Sequence, residues 1–115
     1  MTLTKNKLPE VWADVLASVS DFTEIQQQSF DVISSGQNVL ATSPTGTGKT
    51  LAYLLPSLLK VKKKQGQQLL ILAPNSELAG QIFEVVKSLA EPLSLSANLI
   101  ISGASIKRQI ERIKK

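Results

Sequence analysis

Apolar residues recur along this chain in two rhythms, one helical and one strand-like. Between residues 8 and 19, Val11, Trp12, Val15, Leu16 and Val19 return every three or four positions, which predicts a helix with one buried face. Ile25, Phe30 and Ile33 predict a second helix over 24–34, and Gly36 stands where a helix C-terminal cap belongs. The run 38–42, "NVLAT", is short and apolar on both sides of its alternation, the mark of a buried strand. Leu51, Leu54, Leu55, Leu58, Leu59 and Val61 then predict a helix over 49–62, with Pro56 expected to kink or break it. A turn at 65–67 leads to a second buried strand, "QLLILA" (68–73), ended by Pro74. Leu78, Ile82, Val85, Val86 and Leu89 predict an amphipathic helix over 76–90. "ANLIIS" (97–102) reads as a third strand, and Ile106, Ile110 and Ile113 share one face of a final helix over 105–115.

Apolar strands alternating with helices imply an α/β fold, a parallel sheet with flanking helices. With 115 residues there is room for one domain, and with aromatics at 4% its core must be aliphatic. No cysteine or histidine is present, which excludes a disulfide framework, a thiolate metal site and a histidine general base. No apolar run is long enough to span a membrane and the first ten residues lack a signal-peptide core, so a cytoplasmic protein without a membrane partner is expected. The net charge of +4 is unevenly spread. Residues 1–59 hold three lysines and five acids; residues 60–115 hold ten basic residues and four acids. Lys60-Val61-Lys62-Lys63-Lys64 and the 107–115 segment are the basic clusters, read either as solvated helix ends or as polyanion contacts.

Between the first strand and the helix after it lies "SPTGTGKT" (43–50). A helix start offers free N–H groups and a partial positive charge to a phosphate. Gly46 and Gly48 allow backbone conformations that turn several N–H groups inward. Lys49 adds a mobile charge for the outer phosphates, and the Thr50 hydroxyl is placed for Mg²⁺. Thr45, Gly46, Thr47, Gly48, Lys49 and Thr50 are thus the expected triphosphate cradle, with Lys49 and Thr50 as its catalytic members. The stretch departs from G-x-x-x-x-G-K-[ST] only at Ser43, where the first glycine would stand.

"TGTGKT" resembles motif I of the superfamily 2 helicases, and two further stretches narrow the resemblance. "FTEIQ" (22–26) resembles the Q motif of the DEAD-box ATP-dependent RNA helicases, with Phe22 in place of its usual proline. "APNSELAGQI" (73–82) resembles motif Ia of that family through Pro74, Glu77, Leu78 and Ala79, with Asn75 and Ser76 replacing Thr-Arg. The resemblance spans the whole chain and is nearest to small bacterial members. It implies a P-loop NTPase, RecA-like fold. Residues 1–36 would form N-terminal helices with the Q motif, and 37–115 part of the ATP-binding domain, with the P-loop at 43–50 and motif Ia at 73–79.

In such a protein Gln26 reads adenine through its amide, ATP and Mg²⁺ are the cofactors, and Pro74, Asn75, Ser76 and Gly103 lie along the path of RNA. The family's Asp-Glu-Ala-Asp and Ser-Ala-Thr motifs and its second RecA-like domain do not occur in these residues. The resemblance therefore implies an incomplete domain whose partner is the remainder of the helicase core. The end at Lys115, inside an expected helix, favours a chain cut from a longer one. An incomplete parallel sheet keeps an unpaired edge, so self-association is also expected. The other functions compatible with these residues are a superfamily 2 DNA helicase or translocase and an inactive nucleotide-binding module; a P-loop small-molecule kinase would leave Gln26 and 74–79 unexplained.

Overall fold

The structure, a computed structural model, describes residues 3–44 and 48–114. Thr45, Gly46 and Thr47 of the glycine-rich loop lie outside the described residues. The chain divides into two compact units, residues 1–69 and 70–115.

The first unit opens with 3-10 turns at Lys5–Lys7 and Glu10–Trp12, and turns continue to Ser18. The regular helix expected over 8–19 is not formed. Trp12 N–H donates to the Pro9 carbonyl, Ala13 to Glu10, Ala17 to Asp14 and Val19 to Leu16, all three residues apart. Such bonds have poorer geometry and serve short pieces. Pro9 supplies no donor ahead of them, and Asp14, Ser18 and Ser20 add little helix propensity. Trp12 and Leu16 still reach the interior with Leu3 and Leu8, while Val11 turns outward.

Helix α1 (Glu24–Ser34) matches the expected bounds. Thr23 and Gln26 form a capping box at its start, and Gly36, at φ +86°, closes its end with its N–H on the Ile33 carbonyl. The Gln27 amide binds both backbone groups of Leu3, which ties the N-terminal segment to α1.

Helix α2 (Lys49–Leu58) packs against α1. It buries Ala52, Leu54, Leu55, Pro56 and Leu58, each leucine contributing about 1.5–3 kcal/mol of transfer free energy. Pro56 has no N–H for the Ala52 carbonyl, and the helix continues only two residues beyond it. Leu59 and Val61 fall after α2, not within it as the apolar spacing predicts, and the chain closes there with three-residue bonds, Lys60 N–H to the Ser57 carbonyl and Val61 N–H to the Leu58 carbonyl.

In the second unit, α3 (Ser76–Ala90) buries Val86, Leu89 and Ala90. Its N-cap is Asn75, whose side-chain oxygen accepts the Leu78 N–H at 2.8 Å, so Ser76 is the first helical residue. A 3-10 turn at Glu91–Leu93 follows. Helix α4 (Ile106–Lys114) ends the described chain. Ile106, Ile110 and Ile113 share a face of it as expected, but that face is exposed, Ile106 at 73%.

The three expected strands, 38–42, 68–73 and 97–102, are not formed: among the described residues no strand is present. A strand buried on both faces needs neighbours that complete its hydrogen-bond ladder and cover it. Among the described residues these segments make no such ladder, and Leu40 is 93% exposed and Leu72 85%.

Candidate functional site

The first unit places Gln26 beside the glycine-rich loop. Gln26 is the third residue of α1 and its side chain is buried. Its Oε1 accepts the Thr23 N–H at 2.8 Å, completing the capping box, and its Nε2 donates to the Gly48 carbonyl at 3.1 Å. One carboxamide thus links the start of α1 to the start of α2. One further lone pair on the oxygen and one further N–H on the nitrogen remain in its bonding capacity.

Gly48 is the N-cap of α2, at φ +84°. A side chain is disfavoured there twice over. The backbone is left-handed, and a Cβ would run into the Gln26 amide, with the Thr23 hydroxyl 3.4 Å away.

Lys49 opens α2 and is exposed; its Nζ donates to the Ser43 carbonyl at 2.8 Å. The contact uses the backbone carbonyl of Ser43, a group that any residue at this position would offer. The ammonium bridges the ends of the loop and can exchange this carbonyl for a phosphate oxygen at little net cost in hydrogen bonds. Thr50, next on α2, is hydrogen-bonded through its side chain to Tyr53. Burial raises the Tyr53 phenol above its ordinary value, the Thr50 bond offsets part of this, and the phenol is neutral at physiological pH. The Thr50 hydroxyl retains a lone pair for a hard cation such as Mg²⁺. Among the described residues no cluster of acidic side chains could hold a metal, so this single oxygen fits an ion carried mainly by phosphates and water.

In the second unit Pro74, Asn75 and Ser76 are exposed at the N-terminus of α3, with the Asn75 oxygen already committed to the cap. Gly103 is exposed at φ +82° in the turn before α4, with open space where a Cβ would stand. The described geometry thus joins Gln26 to Gly48 and Lys49 to Ser43. Sequence reasoning missed Thr23 as the cap that fixes Gln26 and Tyr53 as the partner of Thr50. Both were signalled, the first by the T-x-x-Q spacing of a capping box and the second by the three-residue spacing of neighbours on one helix face.

The sequence model of the DEAD/DEAH box helicase family matches residues 23–115. The DEAD-box ATP-dependent RNA helicase CshC of Bacillus cereus is 47% identical over 109 residues, which cover 94% of this chain and 28% of that protein. The probable ATP-dependent RNA helicase YfmL of Bacillus subtilis is 47% identical over 94 residues, covering 81% of this chain and 25% of that protein. The chain therefore spans about a quarter of the length of these relatives. Among solved structures, the RNA helicase Prp28 of Chaetomium thermophilum bound to ADP is similar with a TM-score of 0.78 at 30% identity, over 95% of this chain and 28% of that one. A DEAD box protein of Methanococcus jannaschii gives 0.78 at 26% identity, over 98% of this chain and 32% of that one.

Proposed function

The chain belongs to the DEAD/DEAH box helicase family, and we propose that it is the ATP-binding opening of an ATP-dependent RNA helicase that uses ATP to bind and unwind RNA. The observation that carries this reading is the bond from Gln26 Nε2 to the Gly48 carbonyl, which links the Gln26 amide to the end of the glycine-rich stretch that opens α2. Gln26 reads the adenine edge. Thr45, Gly46, Thr47 and Gly48 would form the triphosphate cradle, Lys49 would neutralise the outer phosphates, and the Thr50 hydroxyl would hold Mg²⁺. The bound ion would supply charge neutralisation on the phosphates. Pro74, Asn75, Ser76 and Gly103 line the RNA path, where exposed N–H groups at the start of α3 can receive phosphate.

The domain plan is residues 1–36 as the N-terminal segment that carries Gln26 on α1, with 3-10 turns in place of its first expected helix, and 37–115 as part of a RecA-like ATP-binding domain. Segments 38–42, 68–73 and 97–102 are its parallel strands once they have neighbours to pair with. The name of the Bacillus cereus relative, and the ADP in the Prp28 structure, support ATP as the ligand.

Phosphoryl transfer needs charge stabilisation around the departing phosphate and a group that positions the attacking water. The 115 residues contain no Asp-Glu-Ala-Asp stretch, and no acid occurs between Asp31 and Glu77. The 115-residue chain is therefore expected to bind ATP·Mg²⁺ without turning it over, with or without single-stranded RNA. A phosphate-release assay checks this. Steady release that disappears in Lys49→Ala would mean that these residues hold a complete hydrolytic site.

A further inference from the structure

The nucleotide loop sits at the start of α2, and a second charged feature sits at its other end. Four lysines, Lys60, Lys62, Lys63 and Lys64, follow the helix within six residues, and all are exposed. Ten residues of α helix separate the two features by about 15 Å.

The turn carrying these lysines is held in shape by one side chain. Lys62 N–H donates to Gln68 Oε1 at 2.9 Å, and Gln68 Nε2 returns a bond to the Lys62 carbonyl at 2.6 Å. The same Nε2 reaches the Gly66 carbonyl at 3.4 Å. Lys64 adopts a left-handed backbone, φ +60°, unusual for a residue with a Cβ, and Gly66 follows at φ +74°. Both backbone groups of Lys62 are thereby satisfied inside the turn, and the lysine side chains project from a closed loop.

Their charge is not balanced locally. The sequence has no carboxylate between Asp31 and Glu77, and among the described residues none of the four lysines forms an ion pair. The helix dipole explains one of them at most, since a helix C-terminus carries only about half an elementary charge. Lys60 fills that role: it follows α2 directly, and its Nζ lies 3.9 Å from where a Cβ on Gly36 would stand, at the end of α1. Lys62, Lys63 and Lys64 remain as three adjacent positive charges with no internal use.

We propose that the Lys62–Lys64 turn is a second nucleic-acid contact, one that holds the phosphate backbone of single-stranded RNA without reading its sequence. The choice of RNA rests on the function proposed above. The absence of base reading follows from composition. No aromatic residue lies between Tyr53 and Phe83, so the turn has no ring on which a base could stack, and lysines grip phosphate as point charges. The turn would therefore add affinity and salt dependence to an RNA grip whose orientation is set elsewhere.

The test uses the full 115-residue chain and a fluorescein-labelled oligouridylate, followed by anisotropy from 50 to 200 mM potassium chloride. In Lys62→Gln/Lys63→Gln/Lys64→Gln the slope of log K against log salt is expected to become shallower by about 2, three lysines at ~0.7 each on a single strand. Affinity at the lowest salt should fall at least about tenfold, and oligodeoxythymidylate of equal length should show the same loss. The melting temperature and ATP affinity of the triple variant should match the parent chain, because the substitutions are exposed and remote from Lys49. An unchanged RNA slope in the triple variant overturns the proposal, as does a parent chain that does not bind RNA. An unchanged RNA slope with loss of polyglutamate binding also overturns it and assigns the turn to an acidic protein. Failure of the nucleotide reading shows separately, as absence of ATP binding in the parent chain, and leaves the RNA slopes to be judged on their own.

Discussion

Replacing Lys49 with alanine is expected to weaken ATP binding by at least about 100-fold, or about 2.8 kcal/mol. Charge-assisted hydrogen bonds are worth roughly 1.5–3 kcal/mol each, and an ammonium with three donors can make two of them to the outer phosphates. The loop retains its N–H groups but loses the only full positive charge between Lys7 and Lys60. The fold should tolerate the change. Lys49 is exposed, it is the first residue of α2, alanine is the best helix former, and among the described residues the side-chain bond lost is the one to the Ser43 carbonyl. Calorimetric titration with ATP·Mg²⁺ beside a thermal melt separates the two effects. An alanine variant that binds ATP like the parent would place the phosphates elsewhere.

Trp12→Ala is expected to cost about 3–5 kcal/mol and to leave the first unit largely unfolded at 37 °C. Trp12 is fully buried, in a unit whose interior also holds Leu3, Leu8, Leu16, Leu54, Leu55 and Leu58. At roughly 0.05–0.15 kcal/mol per residue, a unit of this size has only several kcal/mol to lose. The melting midpoint should fall by more than about 12 °C, taking ~4 °C per kcal/mol as the lower bound. Circular dichroism at 222 nm is the readout, since Trp12 is the only tryptophan and its removal abolishes intrinsic tryptophan fluorescence. A shift under ~3 °C would mean that the turns over 9–19 contribute little to holding α1 against α2.

These two substitutions mark what the sequence disclosed and what it withheld. The helices were legible because their signals are local. Apolar spacing set α1 and α3 at their observed bounds, and Gly36 ends α1 with the backbone its residue type favours. Local signals failed where two of them competed. The end of α2 came at Leu58 in three-residue bonds although Leu59 and Val61 kept the apolar rhythm, and the tight turns after Pro9 replaced a helix while Trp12 and Leu16 kept their buried places. The strands were the largest difference, for a different reason. The runs at 38–42, 68–73 and 97–102 encode a wish for burial on both faces, but a strand exists only through its neighbours, and no run names its neighbour. At the site, the glycine-rich pattern marked Lys49 as a candidate, and the family resemblance marked Gln26. The geometry that unites Gln26 with Gly48 was not legible, because it depends on Thr23 capping α1 and on the way α1 packs against α2.

That geometry makes base selection the direct test of the account. With Oε1 accepting the Thr23 N–H and Nε2 donating to the Gly48 carbonyl, the Gln26 amide has one acceptor position and one donor left. Adenine offers an N6 donor beside the N7 acceptor, whereas guanine presents two acceptors, O6 and N7, which leaves an amide oxygen facing an oxygen. The measurement is a calorimetric titration of the parent chain and of Gln26→Ala with ATP·Mg²⁺ and GTP·Mg²⁺, each protein first shown by its melt to be folded, since the variant also loses the capping box. The account predicts that the parent prefers ATP by at least about tenfold, a difference of about 1.4 kcal/mol, and that Gln26→Ala binds both nucleotides with equal, weaker affinity. Equal affinities in the parent chain, or a preference for ATP that survives in folded Gln26→Ala, would contradict it.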